Sequence, residues 1–377
     1  SMPSIKYDVV IAGAGIVGLA HAWMCAKQGL RVAVLEKNSR CTGASVRNFG
    51  FITITGQREG KTWRRALRSK EFWADVAPKA GIPICHQGLL VVAQRLEALD
   101  LLDTFKHTEM GEACVLLSAD AIRGRFPEIR GEDVQGGLYS PHELRVESKD
   151  AIGQLTTWLS KEMGVEFFFD HELLEINLPK LRTASKVFHT ERLILCPGTE
   201  LNGVAQPYLA EYQLTHTQLQ MLRIQPTQPL LLQAAVMSDL SLVRYAGYTG
   251  LNCHQALLAR LKKEELPCLE AGIHLIVVQS EDGSLVVGDS HHPVGDVEPF
   301  AQDAVDALII EQLRRTLKLD DYQITHRWTG KYPVGHADQD ALILSPDPNI
   351  RVVSVISGTG ASTAFGLAEE VMQQWGF

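Results

Sequence analysis

Near the N-terminus an apolar run, residues 8–12, leads straight into Gly13-Ala14-Gly15-Ile16-Val17-Gly18. A helix-like segment then extends to Gln28 and Gly29, and a second apolar run, 31–35, is closed by Glu36. The hydrophobic period changes from strand to helix and back, so this stretch reads as strand, tight turn, helix, strand. In such a unit Gly13 permits the turn, Gly15 lets a pyrophosphate approach the backbone, and Gly18 lets the helix pack on the strand. The helix N-terminus at Ile16 and Val17 then offers free N–H groups to the phosphates. Glu36, flanked by Lys37, stands where an acid takes the adenosine ribose hydroxyls, and it would repel a 2′-phosphate, which argues against NADP. Residues 9–26 are nearly all apolar after Lys6, as in a secretory leader, but three spaced glycines and an immediate second strand do not suit one.

A chain of 377 residues can bury two cores, so a nucleotide domain plus one further domain is expected. The net charge of −8 leaves no basic surface for nucleic acid or acidic lipid, which makes small molecules the expected partners. The seven cysteines are scattered without a C-x-x-C pair, so neither a zinc site nor a disulfide framework is indicated, and a reduced, cytoplasmic setting fits. No stretch is long and apolar enough to be read as a membrane span.

Further along, residues 41–50 mix small, hydroxyl and basic side chains as a loop lying along a ligand does. Ser45 can donate to a phosphate, while Arg47 and Asn48 would point past it toward whatever reacts. Residues 61–73 read as an amphipathic helix, 88–93 as a strand, and 95–110 as a helix. The parallel-sheet rhythm is lost over 84–144 and resumes with a long helix expected from Arg145 to about Met163. The runs 219–224, 273–278 and 284–288, with Asp282-Gly283 as a hairpin signal, read as a largely antiparallel sheet, and a long helix is expected near 300–317. The expected architecture is α/β. A discontinuous Rossmann-like dinucleotide domain (1–83, 145–205, 325–377) carries an inserted, mainly antiparallel substrate domain (84–144, 206–324) that walls a cleft.

The last fifty residues repeat the opening pattern: a strand at 351–356, a second glycine-rich turn (Ser357-Gly358-Thr359-Gly360-Ala361-Ser362-Thr363), and a helix to Trp375. NAD needs only the first turn. A flavin dinucleotide also needs donors at its ring, which a second helix N-terminus supplies, so FAD is favoured over NAD.

These motifs resemble the FAD-dependent oxidoreductases of the D-amino-acid oxidase superfamily, which includes glycine oxidase and monomeric sarcosine oxidase. The resemblance spans nearly the whole chain. Gly13, Gly15, Gly18 and Glu36 match its adenosine motif, Ser45 its small hydroxyl residue beside the pyrophosphate, and Gly358, Gly360, Ala361, Ser362 and Thr363 its flavin-binding turn. Leu219-Gln220-Met221 is similar to its glycine–glutamine strand with Leu219 in place of glycine. Residues 282–288 resemble its hairpin, and Trp328 with Gly330 and Pro333 its Trp-x-Gly segment. Gly198, after Cys196-Pro197, is a further expected cofactor contact. Residues 43–57 (GASVRNFGFITITGQ) and 357–365 (SGTGASTAF) are similar to a subgroup associated with catabolism of amine-bearing phosphonates. Sarcosine oxidases attach FAD through a late cysteine, and none follows Cys268 here, so non-covalent FAD is expected. They also hold a lysine near the flavin where this chain is aligned with Val286, which leaves the acceptor, dioxygen or another, open.

What the resemblance implies is hydride transfer from an amine-bearing carbon to the flavin, giving an imine that water hydrolyses. Such chemistry needs a neutral amine at the flavin and a cation for the substrate's acidic end. The candidates are Arg47, Arg244 with its neighbour Tyr245, His291, His292 and Lys331, arginine being best matched to an oxyanion. The expected substrate is a small primary or secondary amine, in particular an (N-methyl)aminoalkylphosphonate. Glycine, sarcosine or a D-amino acid is the alternative, and a flavoprotein electron-transfer subunit or an NAD-dependent dehydrogenase are other classes. Each basic residue has an ordinary reading as a solvated or surface-paired charge.

Overall fold

Val9, Val10 and Ile11 are consecutive and fully buried on the first strand, Ile5–Ala12. Consecutive buried residues require cover on both faces, as in the middle of a parallel sheet. Val9 and Ile11 join one apolar core and Val10 another. The computed structural model describes residues 5–40, 50–294, 301–336 and 338–377, side chains of 148, 149 and 301 excepted. Its first sheet runs Ala341–Asp347, Ile350–Val355, Val187–Leu195, Ile5–Ala12, Val32–Leu35, Glu166–Phe168. Every adjacent pair in that order is parallel except the first.

Helices Ile16–Lys27, Lys61–Ala80 and Gly360–Gln374 pack together on this sheet through Trp23, Phe72, Trp73 and Phe365, whose rings meet edge to face. At Gly366 an added Cβ would stand 2.7 Å from the Arg65 carbonyl oxygen, so two of these helices touch backbone to backbone. Arg65 also pairs with Glu370 at 2.9 Å. The packing brings the two glycine turns together: a Cβ on Gly360 would lie 3.7 Å from Ile16 Cγ2.

The second sheet runs His292–Pro293, Thr215–Pro226, Leu285–Gly288, Ile276–Gln279, Ala235–Met237, Ile84–Ala93, Gly136–Val146, Phe51–Ile52. Tyr322–Val334 and Val115–Ser118 pair beside this path. Its pairings are antiparallel apart from Ala235–Met237 beside Ile84–Ala93. The Asp282-Gly283 hairpin forms, with Gly283 at φ +86 and Gln279 opposite Leu285. No described helix is long and apolar enough to cross a membrane.

Three expectations are corrected here. Phe51–Ile52 and the strand Tyr322–Val334 pair in the second sheet, so the chain does not change sheets at 83 and 325. Strand periodicity carries no information about which sheet a strand joins. The helix expected from Arg145 begins at Ser148, because Gly136–Val146 stays a strand to its end. Arg145 is fully buried there, its Nη2 3.0 Å from the Glu147 carboxylate and hydrogen-bonded to Ser280. Val286 does not reach the cleft; it pairs with Arg223 and Val278 inside the second core.

Candidate functional site

A cavity of about 1250 Å³ is lined by both sheets, with Ala12, Gly13 and Leu195 from the first and Leu219, Met221 and Ile276 from the second. Gly13 has φ +118, and a Cβ on it would stand 2.2 Å from the Cys196 carbonyl oxygen. A Cβ on Gly18 would stand 1.8 Å from the carbonyl oxygen of Gly13. These two glycines are therefore demanded by the closure of strand, turn and helix. Gly15 differs: its φ of −77 is open to any residue, it precedes the helix without a side-chain cap, and it lines the cavity with Ile16, Val17 and Gly18. At the tip of the next strand Glu36 Oε1 accepts from the Ala14 N–H at 3.1 Å and Oε2 from the Asn38 N–H at 3.0 Å. Each oxygen can accept a further bond from a hydroxyl. Lys37 pairs with Glu200 at the rim, and Gly198, at φ +59, lines the same wall.

The second turn enters from the C-terminal helix. Gly358 has φ +75, and a Cβ there would press on the Tyr332 ring at 2.9 Å. Thr359 precedes the helix without a side-chain cap bond, and Gly358, Gly360, Ala361 and Ser362 of this turn line the cavity, which puts the uncapped helix start beside it. The Ser362 hydroxyl accepts from the Thr53 N–H at 2.9 Å, tying the turn to the second sheet. Two expected cofactor contacts are not on this surface. Thr363 is buried and donates back to the Thr359 carbonyl at 2.9 Å, and Trp328, opposite Met221, packs on the core of the second sheet. Ser45, Arg47 and Asn48 lie outside the described residues.

At the second-sheet end Arg244, Tyr245, His291 and Lys331 all line the cavity, as expected. Their roles divide. The charge of Arg244 bears on Asp289, Tyr245 and Tyr332, whereas that of Lys331 adds only a minor influence on Glu200, which is paired with Lys37. His291 was expected among the cations, and burial pushes its pKa down to about 3, with Arg244 and His274 adding to burial and Asp289 opposing it. His292 pairs with Gln218 on the strand and is not among the cavity-lining residues; burial lowers it too. Tyr245 and Tyr332 are held as neutral phenols, chiefly by burial.

Sequence reasoning missed His274, Asp289 and Tyr332. His274 Nε2 lies 3.0 Å from Asp289 Oδ1, and His291 Nε2 lies 3.5 Å from Asp289 Oδ2. Burial alone would raise the Asp289 carboxyl, but the two imidazoles and Arg244 outweigh it and hold it below the usual range. The signal was the hairpin itself. His274 and Asp289 exchange backbone hydrogen bonds of 3.3 and 3.0 Å just beyond its paired strands, a proximity that fifteen residues of separation conceals.

These residues fit FAD. One uncapped helix N-terminus at a glycine cradle suits a pyrophosphate, Glu36 suits the adenosine ribose, and a second uncapped N-terminus on the same cavity suits the flavin ring. The volume exceeds the roughly 300–1,000 Å³ of an ordinary ligand pocket, leaving room for a substrate beside a dinucleotide.

Comparison with known proteins agrees. The FAD dependent oxidoreductase (DAO) family matches residues 8–374. The chain is 25% identical to N-methyl-L-tryptophan oxidase of Salmonella arizonae over 210 residues, 53% of this chain and 56% of that enzyme. It is 26% identical to glycine oxidase of Geobacillus kaustophilus over 209 residues, 51% of this chain and 55% of that enzyme. The match thus spans about half the length of these curated relatives. The crystal structure of the Geobacillus glycine oxidase superposes with a TM-score of 0.76 at 18% identity, covering 98% of this chain and 95% of that one, and so shares the fold. With a cavity built for FAD and a family match over almost its whole length, the chain belongs to the FAD-dependent oxidoreductases of the DAO family.

Proposed function

We propose that the protein oxidises a small amine that also carries an acidic group. The observation that carries this reading is Arg244, which lines the FAD cavity on the wall where Tyr245, His291 and Tyr332 gather. FAD, when bound, supplies the acceptor for the hydride of the substrate's amine-bearing carbon. Arg244 binds the acidic end through a planar fork suited to carboxylate or phosphonate. The aromatic wall excludes water and fixes the amine's approach. Arg47, from the loop outside the described residues, is assigned to the same substrate or to the flavin.

The preferred substrate class is an (N-methyl)aminoalkylphosphonate, supported by the likeness of residues 43–57 and 357–365 to the phosphonate-linked subgroup. A carboxylate substrate of the glycine or sarcosine type is the second reading, supported by Arg244 being the guanidinium beside the aromatic wall. Electrons leave to dioxygen or another acceptor. The test is anaerobic bleaching of the flavin by 2-(methylamino)ethylphosphonate beside sarcosine, glycine and D-alanine. Higher kcat/KM for the phosphonate is the expected result. Preference for sarcosine or D-alanine makes the protein an amino-acid oxidoreductase, and no bleaching by any amine refutes amine oxidation.

A further inference from the structure

His274, Asp289 and His291 are the one set among the described residues placed to share a metal ion, their ligand atoms all within 4.8 Å of one another. His274 Nε2 is 3.0 Å from Asp289 Oδ1 and His291 Nε2 is 3.5 Å from Oδ2. These separations bracket the roughly 3.3 Å between neighbouring ligands of a tetrahedral ion with bonds of about 2.0–2.1 Å. The closer approach is not directed as a hydrogen bond: Asp289 Oδ1 is buried and has no hydrogen-bond partner among the described residues. A buried carboxylate oxygen without a donor is costly, and a cation seated between it and the two imidazoles removes that cost.

Both rings are turned for ligation. His291 Nδ1 lies 2.8 Å from the Gly272 carbonyl oxygen, and a carbonyl can only accept, so this nitrogen carries a proton and Nε2 is the one that can ligate. His274 Nδ1 lies 3.0 Å from the Ser241 hydroxyl, whose own proton is directed to the Leu275 carbonyl at 3.2 Å. The hydroxyl oxygen therefore accepts from Nδ1, and Nε2 is again the ligating atom. A metal-bound histidine usually gives its other ring N–H to an acceptor of the protein in this way. The backbone fixes the three positions: His274 and Asp289 exchange bonds of 3.3 and 3.0 Å, and the His291 N–H donates to the Ala271 carbonyl at 3.1 Å. All three residues line the cavity.

We infer that His274, Asp289 and His291 form a binding site for a divalent ion of the zinc class, with a further coordination position open to the cavity. Two imidazoles and one carboxylate suit zinc better than magnesium or calcium, which take oxygen ligands. Arg244 limits the affinity, since its charge bears on the same carboxylate and repels an incoming cation. The consequence for turnover rests on the amine-oxidation reading. A substrate nitrogen that ligates the ion commits its lone pair there, and hydride loss needs that lone pair. An ion at this site therefore inhibits, and its removal restores the reaction.

The test titrates zinc chloride into the full FAD-loaded chain by calorimetry, without substrate and with magnesium chloride as the control. Uptake of about one zinc per chain is expected, and none of magnesium. His274→Asn and His291→Asn should each weaken zinc binding by about 100-fold or more, and Ser241→Ala, which keeps all three ligands, by about tenfold. Arg244→Gln should tighten it by about tenfold, because a repelling charge is gone. Flavin absorbance and melting temperature check the fold of each variant, and Ser241→Ala and Arg244→Gln carry the test where a ligand variant does not fold. Zinc-loaded protein should be reduced by its amine at least about tenfold more slowly under anaerobic conditions, with EDTA restoring the rate. No zinc uptake by the wild type, or uptake that the two histidine variants leave unchanged, overturns the site. Wild-type affinity in Arg244→Gln places the ion away from Asp289 and also overturns it. Uptake that does not slow reduction overturns the inhibition. A wild type that binds zinc but that no amine reduces keeps the site and refutes amine oxidation, together with the inhibition that rests on it.

Discussion

The carbonyl oxygen of Cys196 stands 2.2 Å from the point a Cβ on Gly13 would occupy, so the ends of two parallel strands close on each other across a residue with no side chain. Gly13→Ala would also be strained by φ +118. A loss of about 2–4 kcal/mol is expected in urea unfolding, with the flavin lost as well. Gly15→Leu should separate the two effects, since its backbone is ordinary and the residue lines the cavity. Its apoprotein should melt within a few degrees of wild type while flavin content falls at least about tenfold. A yellow Gly15→Leu protein would remove the basis for placing the pyrophosphate there.

The flavin is expected to be released by acid precipitation. No cysteine follows Cys268, which is buried in the second core, and burial keeps the cavity-lining Cys196 a neutral thiol. Yellow colour in the supernatant confirms this, and colour in the pellet contradicts it.

Arg244 and Lys331 should separate on mutation. Arg244→Ala is expected to lower kcat/KM for the preferred acidic amine by about 10–100-fold, the worth of a charge-assisted bond of roughly 1.5–3 kcal/mol. Lys331→Ala, whose charge reaches the Lys37–Glu200 pair at the rim, should change it less than about threefold. Steady-state kinetics on both variants decides it, and equal effects would return Lys331 to the substrate site.

Acid should destabilise the fold through His21. Burial depresses its folded pKa from 6.5 to about 4, so the folded protein keeps it neutral while the unfolded chain takes up a proton. Stability is then complete above about pH 6.5 and falls as pH drops toward 4, by about 3 kcal/mol from this residue alone. His21→Met should flatten the urea midpoint against pH in that window by a comparable amount. An unchanged slope would place the acid sensitivity elsewhere.

What the sequence determined by itself is local. Strand, turn, helix and strand over residues 8–36, the second glycine turn before the C-terminal helix, the Asp282-Gly283 hairpin and the antiparallel character of the second sheet all follow from periodicity and from glycines at fixed offsets. Glu36 could be assigned because it lies within the same unit as Gly13. The tertiary structure decided what depends on contacts distant in sequence. Residues 325–334 joined the second sheet because Thr215–Pro226 pairs along the whole length of Tyr322–Val334. Trp328 and Thr363 turned away from the cavity because of what each packs against or bonds to, which a motif match does not contain. Burial lowers the pKa of His291 more than the nearby carboxylate raises it, and burial is a property of the assembled chain. For the same reason the meeting of His274, Asp289 and His291 is invisible in spacing: only the paired hairpin, with Gly272 and Ser241 against the two Nδ1 atoms, brings both imidazoles to one carboxylate.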